Sequence, residues 1–409
     1  MTDAPADKIH RFLVEQRPNM ERFLAELVRV PSDNPPGDCA PHAARAADLL
    51  VELGLVVEQH PVPAALVEAN GMVSCTNLIV RHRFGDGPVI ALNAHGDVVP
   101  PGEGWTQDPY AAAVVDGWMV GRGVAVSKSD FATYTFALLA LMQSGAPLTG
   151  TVELHFTYDE EAGGEIGPGL ILKEDLSWPD LAIGAGFSYA VVTAHNGCLH
   201  LEVEVNGRSA HAAKPFTGVD ALEVATDVLN ALYRYRKTLT AKTSAISGIG
   251  SPQITVGLIK GGINTNVVPD RITFRLDRRM IPEEKPAEVE AELRALIGKA
   301  AAAWPEAGVV TRRILLAEPL VELPGGKALS DSLCRHATSI MGEPVEKKGV
   351  PLYTDARHYA AQGIPCVLYG AGPHTIEEAN AHRADERLPL SDLHKATEVV
   401  ALTLLDMLG

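Results

Sequence analysis

The stretch "PVIALNAHGD" (Pro88–Asp97) decides how this chain is read. A short apolar, β-rich run stops abruptly at His95-Gly96-Asp97, which is the pattern of a buried strand bounded by a turn. Open α/β sheets bind their ligands beyond the carboxyl ends of strands, so the position of that polar cluster matters as much as its content. "TVELHFTYDEE" (Thr151–Glu161) repeats the arrangement and runs into Asp159-Glu160-Glu161. Around these two lie further strand-like runs, "NLIVRH" (77–82) and "DLAIGAG" (180–186). They alternate with helical spacing in "ERFLAELVRV" (21–30) and "HAARAADLLVELGL" (42–55), the second ending at Gly54. The alternation through residues 1–190 predicts a doubly wound α/β sheet, with both polar clusters at one crevice.

The pattern changes near residue 197. Strand (198–206), helix (219–238), strand (252–261), strand (266–278), helix (283–302) and strand (308–315) follow in the βαββαβ order of a ferredoxin-like module. Ala317-Glu318-Pro319 reads as a return linker. "LSDSLCRHATSI" (329–340) as helix, "IPCVLYGAG" (364–372) as strand and "LSDLHKATEVVALTLLDML" (390–408) as a closing helix resume the earlier style. The expected organisation is a discontinuous α/β domain, 1–196 with 318–409, interrupted by a smaller domain at 197–317.

Composition narrows the function classes. A formal net charge of −16 lacks the basic footprint that nucleic acid requires. The N-terminal "MTDAPADKIH" has neither the basic nor the apolar region of a signal peptide, and no run of about 18 apolar residues occurs, so a cytoplasmic protein without membrane spans is expected. The five cysteines (Cys39, Cys75, Cys198, Cys334, Cys366) are odd in number and show no C-x-x-C spacing, which indicates neither a disulfide framework nor a cysteine zinc site.

Three signals carry chemistry, each weak alone. His-x-Asp at a strand end (His95, Asp97) places a metal-binding imidazole beside a carboxylate that fixes its tautomer. Adjacent carboxylates (Glu160, Glu161) can divide their work, one holding a cation and the other taking a proton from a water. His382, in "AHRADE" (381–386), follows the strand expected at 364–369. They gain force together because all three follow predicted strands.

The ordered set "AHGDVVP", "DGWMVGRG", "YDEEAGG", "NGRSAHAAKPFTGVDA", "NVVPD", "LDRRMIP", "YTDARHYAAQGIPCVLYGAG" and "AHRADE" closely resembles the M20 peptidase family, from about residue 20 to the end. That family includes acetylornithine deacetylase, succinyl-diaminopimelate desuccinylase, aminoacylase and glutamate carboxypeptidase. The resemblance implies a catalytic α/β domain with a ferredoxin-like lid that dimerises, and hydrolysis of amide bonds in peptides or N-acyl amino acids with one or two zinc, cobalt or manganese ions. By position, it implies His95 as a metal ligand oriented by Asp97, and Glu160 as the general base. Glu161 and His382 become ligands of the other metal subsite. His211 becomes an oxyanion-stabilising residue reaching across the dimer, and Asn266 and Arg279 hold a substrate carboxylate.

Two departures bear on the metal. The family pattern places a bridging Asp where "GRGVAVSKSD" (Gly121–Asp130) has Val126, and a ligand Glu where this chain has Gly186. The remaining His95, Glu161 and His382 form a set able to bind one catalytic zinc with an open position for water. Asp130, one helical turn after Val126, is a candidate replacement carboxylate; its alternative is a helix-start residue favoured by the dipole. The expected function is a one-metal hydrolase of a small N-acyl amino acid or dipeptide. The alternatives are a non-catalytic binding or regulatory protein, and a metal-independent hydrolase in which Lys128 activates Ser127 or Ser129. His374 and His358 are expected in supporting roles.

Overall fold

The computed structural model describes residues 4–409, which divide into two compact units. The first comprises residues up to 193 together with 322–348 and 354–409; the second comprises 194–321 and 349–353.

The first unit is built on a mixed sheet. Its strands lie in the spatial order Val57–Pro61, Thr76–Arg83, Thr151–Thr157, Val89–His95, Leu181–Gly184 and Cys366–Leu368, and the sheet continues through Val191–His195 to Lys347–Val350. The four strands from Thr151–Thr157 to Cys366–Leu368 are parallel, and antiparallel pairs flank them on both sides. The register fixes where the chemistry gathers: His95 lies opposite Thr157, Asn93 opposite Gly184, and Leu368 opposite Gly184. All four parallel strands therefore deliver their following loops to one edge.

Behind that edge packs the helix Lys128–Gln143, in contact with Pro5–Val28 and Leu390–Leu408. Nearly every residue of it is buried, as a helix apolar on all sides requires. Phe131 stacks on Phe156 of the strand Thr151–Thr157 at 4.0 Å between centroids. The N-terminal helix is longer than expected from residues 21–30. It runs Pro5–Val28 through Pro18, because its first half also buries Ile9 and Leu13.

In the second unit four antiparallel strands lie in the order Gln253–Gly261, Arg271–Met280, Gly197–Asn206, Gly308–Ala317. This is the ferredoxin-like arrangement. Leu199, Leu201, Val203 and Val205 form one face of the central strand and pack with buried residues of the helices Ala221–Leu239 and Pro286–Ala301. The other face carries ion pairs, with Glu202 between Arg275 and Arg312. The strand expected at 266–278 begins at Arg271 instead, because Asn266 sits in a turn and Val267–Pro269 lead out of it. No helix among the described residues is long and apolar enough to cross a membrane.

Candidate active site

His95 ends its strand with the imidazole almost fully buried. Its Nδ1 donates to the backbone oxygen of Asp97 at 2.9 Å and lies 3.4 Å from that residue's Oδ1. A carbonyl only accepts, so the proton belongs on Nδ1 and, in the neutral ring, Nε2 keeps its lone pair for another partner. Asp97 is itself fully buried and does a second job. Oδ1 accepts from the Glu160 backbone N–H at 3.2 Å, and Oδ2 accepts from Glu161 N–H at 3.1 Å and Asn34 Nδ2 at 3.0 Å. Asp97 thus fixes both, the histidine through its backbone carbonyl and the turn bearing the two glutamates through its carboxylate.

That turn, Glu160–Ala162, is a single 3₁₀ turn closed by Gly163 at φ 116°. Glu160 Oε2 lies 4.0 Å from His95 Nε2, and one ligand atom each of His95, Glu160 and Glu161 falls within 4.8 Å of the others. Glu161 Oε1 continues the chain to His382 Nε2 at 3.3 Å. The structure therefore brings together the four residues expected from sequence to carry the metal and the base.

The electrostatics favour a cation here. Burial pushes the Glu160 carboxyl up to about 8 against the opposing pull of His95, and the nearby charges of Glu161, Asp97 and Asp159 add to the rise. Burial alone would lower His95, but the Asp97 hydrogen bond and the charges of Glu160, Asp97 and Glu161 outweigh it and hold the imidazole well above its ordinary value. The Glu161 hydrogen bond likewise raises His382. Without a cation the site retains protons. The donor set, the His95 imidazole converging with the Glu160 and Glu161 carboxylates and His382 adjoining Glu161, suits a divalent ion that would take the protons' place.

The two substituted positions are built into their surroundings. The loop "GRGVAVS" (121–127) wraps the buried Glu386 carboxylate, whose Oε2 accepts from Arg122 Nη1 at 2.7 Å and Gly123 N–H at 3.0 Å. Its Oε1 accepts from the Ala125 and Val126 N–H groups, each at 3.0 Å. The Val126 side chain packs against the main apolar core. At Gly186 a Cβ atom would come within 2.9 Å of the Tyr369 nitrogen and 3.1 Å of the Leu368 carbonyl carbon. Backbone, not a movable side chain, fills the space a ligand glutamate would leave through.

Asp130 is drawn into the same region but lies outside the His95–Glu160–Glu161 group. Its Oδ2 accepts from Gly186 N–H at 3.1 Å and its Oδ1 from Ala371 N–H at 2.8 Å. Complete burial pushes its carboxyl up to about 8. It is the acid that ties the loop at Gly186 to the loop at Ala371, and Gly370 has no room for a Cβ beside it.

Ser127 and Lys128 do not form a dyad. Ser127 Oγ donates to the His95 carbonyl at 3.1 Å, while the buried Lys128 Nζ donates to the carbonyls of Val30 at 3.1 Å and Leu27 at 3.3 Å. Ser129 Oγ reaches the carbonyls of Ala125 and Ala371, both at 3.4 Å. His358 donates to the Gly163 carbonyl at 3.0 Å and so braces the turn after the glutamates. His374 is exposed, stacked on Tyr189 at 3.5 Å and 2.8 Å from Glu343.

Sequence reasoning missed three buried acids. Glu386 closes the quoted "AHRADE" but gives no signal of holding a loop more than 250 residues away in sequence. Asp159 accepts from Ile166 N–H at 2.7 Å, and Asp355, in "YTDARHY", sits against Gly164; each leaves one buried oxygen without a partner. Burial raises both well above the usual carboxylate range, with the charge of Asp355 adding to the rise at Asp159 and that of Glu160 to the rise at Asp355.

The remaining expected residues lie in the second unit. His211 and Asn266 are brought together by a bridge between His211 and Val267 and by the Ala212 N–H, which donates to the Asn266 carbonyl at 3.0 Å. Both are exposed. Arg279 is half-buried; its Nε donates to Asp277 Oδ1 at 3.0 Å, and its guanidinium lies 5.6 Å from the centre of the Tyr353 ring.

Comparison with known proteins bears on this geometry. The sequence model of peptidase family M20/M25/M40 matches residues 91–406. A probable succinyl-diaminopimelate desuccinylase of Staphylococcus epidermidis is 25% identical over 396 residues, covering 89% of this chain and 92% of the relative. An acetylornithine deacetylase of Proteus mirabilis is 29% identical over 358 residues, covering 87% and 86%. Among solved structures, human carnosine dipeptidase 1 superimposes with a TM-score of 0.74 at 18% identity, covering 99% of both chains. A dinuclear metal-binding M20 peptidase of Bacillus subtilis does so with a TM-score of 0.67 at 18% identity, covering 98% of both.

Proposed function

The chain belongs to peptidase family M20/M25/M40, and from that premise we propose that it hydrolyses the amide bond of a small N-acyl amino acid or dipeptide with a single divalent metal, zinc before cobalt or manganese. His95, Glu161 and His382 hold the ion. When bound, it polarises the scissile carbonyl and acidifies a water. Glu160 accepts the water's proton and passes it to the leaving amine. Asp97 keeps the His95 proton on Nδ1 and holds the backbone of Glu160 and Glu161 in place. His211, from the lid of a partner subunit, steadies the oxyanion, and Asn266 and Arg279 take the substrate carboxylate.

The observation that carries this reading is the assembly of His95, Glu160, Glu161 and His382 at one sheet edge, beside a position, Gly186, where backbone closes the space for a further ligand. A second ion needs a bridging anion, and Val126 supplies none. The homodimer is supported by the edge strand Gln253–Gly261, which exposes Leu258 and Ile259 and is followed by the exposed Ile263. The closed Gly186 position also favours a second reading, a binding protein without turnover. Incubation with N-acetyl and N-succinyl amino acids and a dipeptide panel, with zinc, cobalt or manganese, separates the two. We expect amine release that falls by about 10²–10⁴-fold in Glu160→Gln. Release from no substrate, with ligand still bound, would support the second reading.

A further inference from the structure

Outside the active site, a second group of metal-ligating side chains is set by strand register alone. Cys198 and His200 are two residues apart on Gly197–Asn206 and therefore share a face. In the antiparallel pairing Asp277 lies directly opposite His200, and Arg279 opposite Cys198. The pleat thus gathers a thiol, an imidazole and a carboxylate on the face of the lid sheet that its helices leave uncovered.

The contacts converge on one atom. His200 Nε2 lies 2.9 Å from Asp277 Oδ2, and the Cys198 thiol donates to the same oxygen at 3.6 Å. One ligand atom from each of the three falls within 4.8 Å of the others. Tetrahedral zinc with its ordinary bond lengths sets such atoms about 3.4–3.6 Å apart. Cys–Asp already has that spacing, and His–Asp needs to open by about half an ångström as a proton-mediated contact gives way to a metal-mediated one. Arg279 Nε donates to both Asp277 oxygens, at 3.0 Å to Oδ1 and 3.2 Å to Oδ2; an ion would take the Oδ2 lone pairs that His200 and Cys198 now engage, and the guanidinium's positive charge beside Cys198 favours the thiolate. Cys198 is buried, whereas His200 and Asp277 are part-exposed, so an ion can enter from the solvent side.

We propose that Cys198, His200 and Asp277 form a separate binding site for a soft divalent cation of the zinc type, with its fourth position left to water or an external ligand. Binding releases the Cys198 thiol proton to solvent and leaves the His200 proton on Nδ1. A thiolate donor selects zinc, cadmium or cobalt over magnesium or calcium. The assignment does not depend on the function proposed for the active site.

Cobalt(II) added to the full-length, reduced protein tests it, because only thiolate ligation gives an intense sulfur-to-cobalt charge-transfer band in the near ultraviolet. The band is expected in the parent chain, lost in Cys198→Ser and in His200→Gln, each checked for folding by circular dichroism. It is expected to persist in the Glu161→Gln/His382→Gln double variant, which separates it from the active site. Absence of the band from the parent chain, or its survival in Cys198→Ser, would overturn the proposal.

Discussion

Replacing Glu386 by Gln removes a charge that four donors converge on. Arg122 and Glu386 are each about 1% exposed, and the carboxylate also satisfies the N–H groups of Gly123, Ala125 and Val126. Breaking a buried ion pair from one side costs about 3–5 kcal/mol, because the other charge stays buried without compensation. A glutamine oxygen can still serve some of the backbone donors, which keeps the cost within that range rather than adding about 1–3 kcal/mol for every N–H. Urea unfolding followed by tryptophan fluorescence suits the question, since the Arg122 guanidinium lies 5.2 Å from the centre of the Trp105 ring. Arg122→Met supplies the second arm of a double-mutant cycle, and the pair should cost less than the sum of the singles by at least about 1 kcal/mol. A loss under about 1 kcal/mol for Glu386→Gln, or a strictly additive cycle, would refute the view that this carboxylate organises the loop 121–127.

Restoring Val126→Asp and Gly186→Glu together should destabilise the first unit by about 1–3 kcal/mol, because the new side chain at 186 meets the Tyr369 backbone. Metal analysis should show no gain of a second ion; a stable variant with an extra ion would mean that the closure is soft. Asp97→Asn should weaken metal retention about 10–100-fold, because an amide cannot accept from both backbone N–H groups that hold Glu160 and Glu161, read by competition with a chromogenic chelator; unchanged retention would remove the Asp97 carboxylate from the account. Asp130 has a folded value of about 8 against 3.8 for the free group, so the folded state binds the extra proton between those values. Its contribution is complete below about pH 4 and is lost as pH rises through about 8. Asp130→Asn should therefore gain stability relative to the parent as pH climbs from about 5 to 8, and a pH-independent difference in urea unfolding would contradict the burial argument.

The strands bearing the chemistry were legible because they combine short apolar runs with abrupt polar ends, as in Val89–His95 and Thr151–Thr157. The lid elements were legible for the same reason, the alternation of Leu199, Leu201, Val203 and Val205 being exact. The mixed character of the large sheet was not, because strand direction in Thr76–Arg83 depends on a partner, Thr151–Thr157, far along the chain. Nor could sequence place Asp130. Its spacing from Val126 suggested a replacement ligand, but two backbone N–H groups from loops more than 50 residues away capture it instead. Glu386 and Asp355 escaped notice because their partners, Arg122 and backbone N–H groups far along the chain for the one and other buried acids for the other, leave no periodic trace.

The central claim is one catalytic ion per chain, and metal content measured by plasma mass spectrometry tests it most directly. The protein should be purified without chelator and dialysed against zinc, manganese or cobalt, in the Cys198→Ser background so that the lid site is not counted. The account predicts about one ion per chain, lost when Glu161→Ala and His382→Ala are combined. Two ions per chain, or none under any of the three metals, would contradict it.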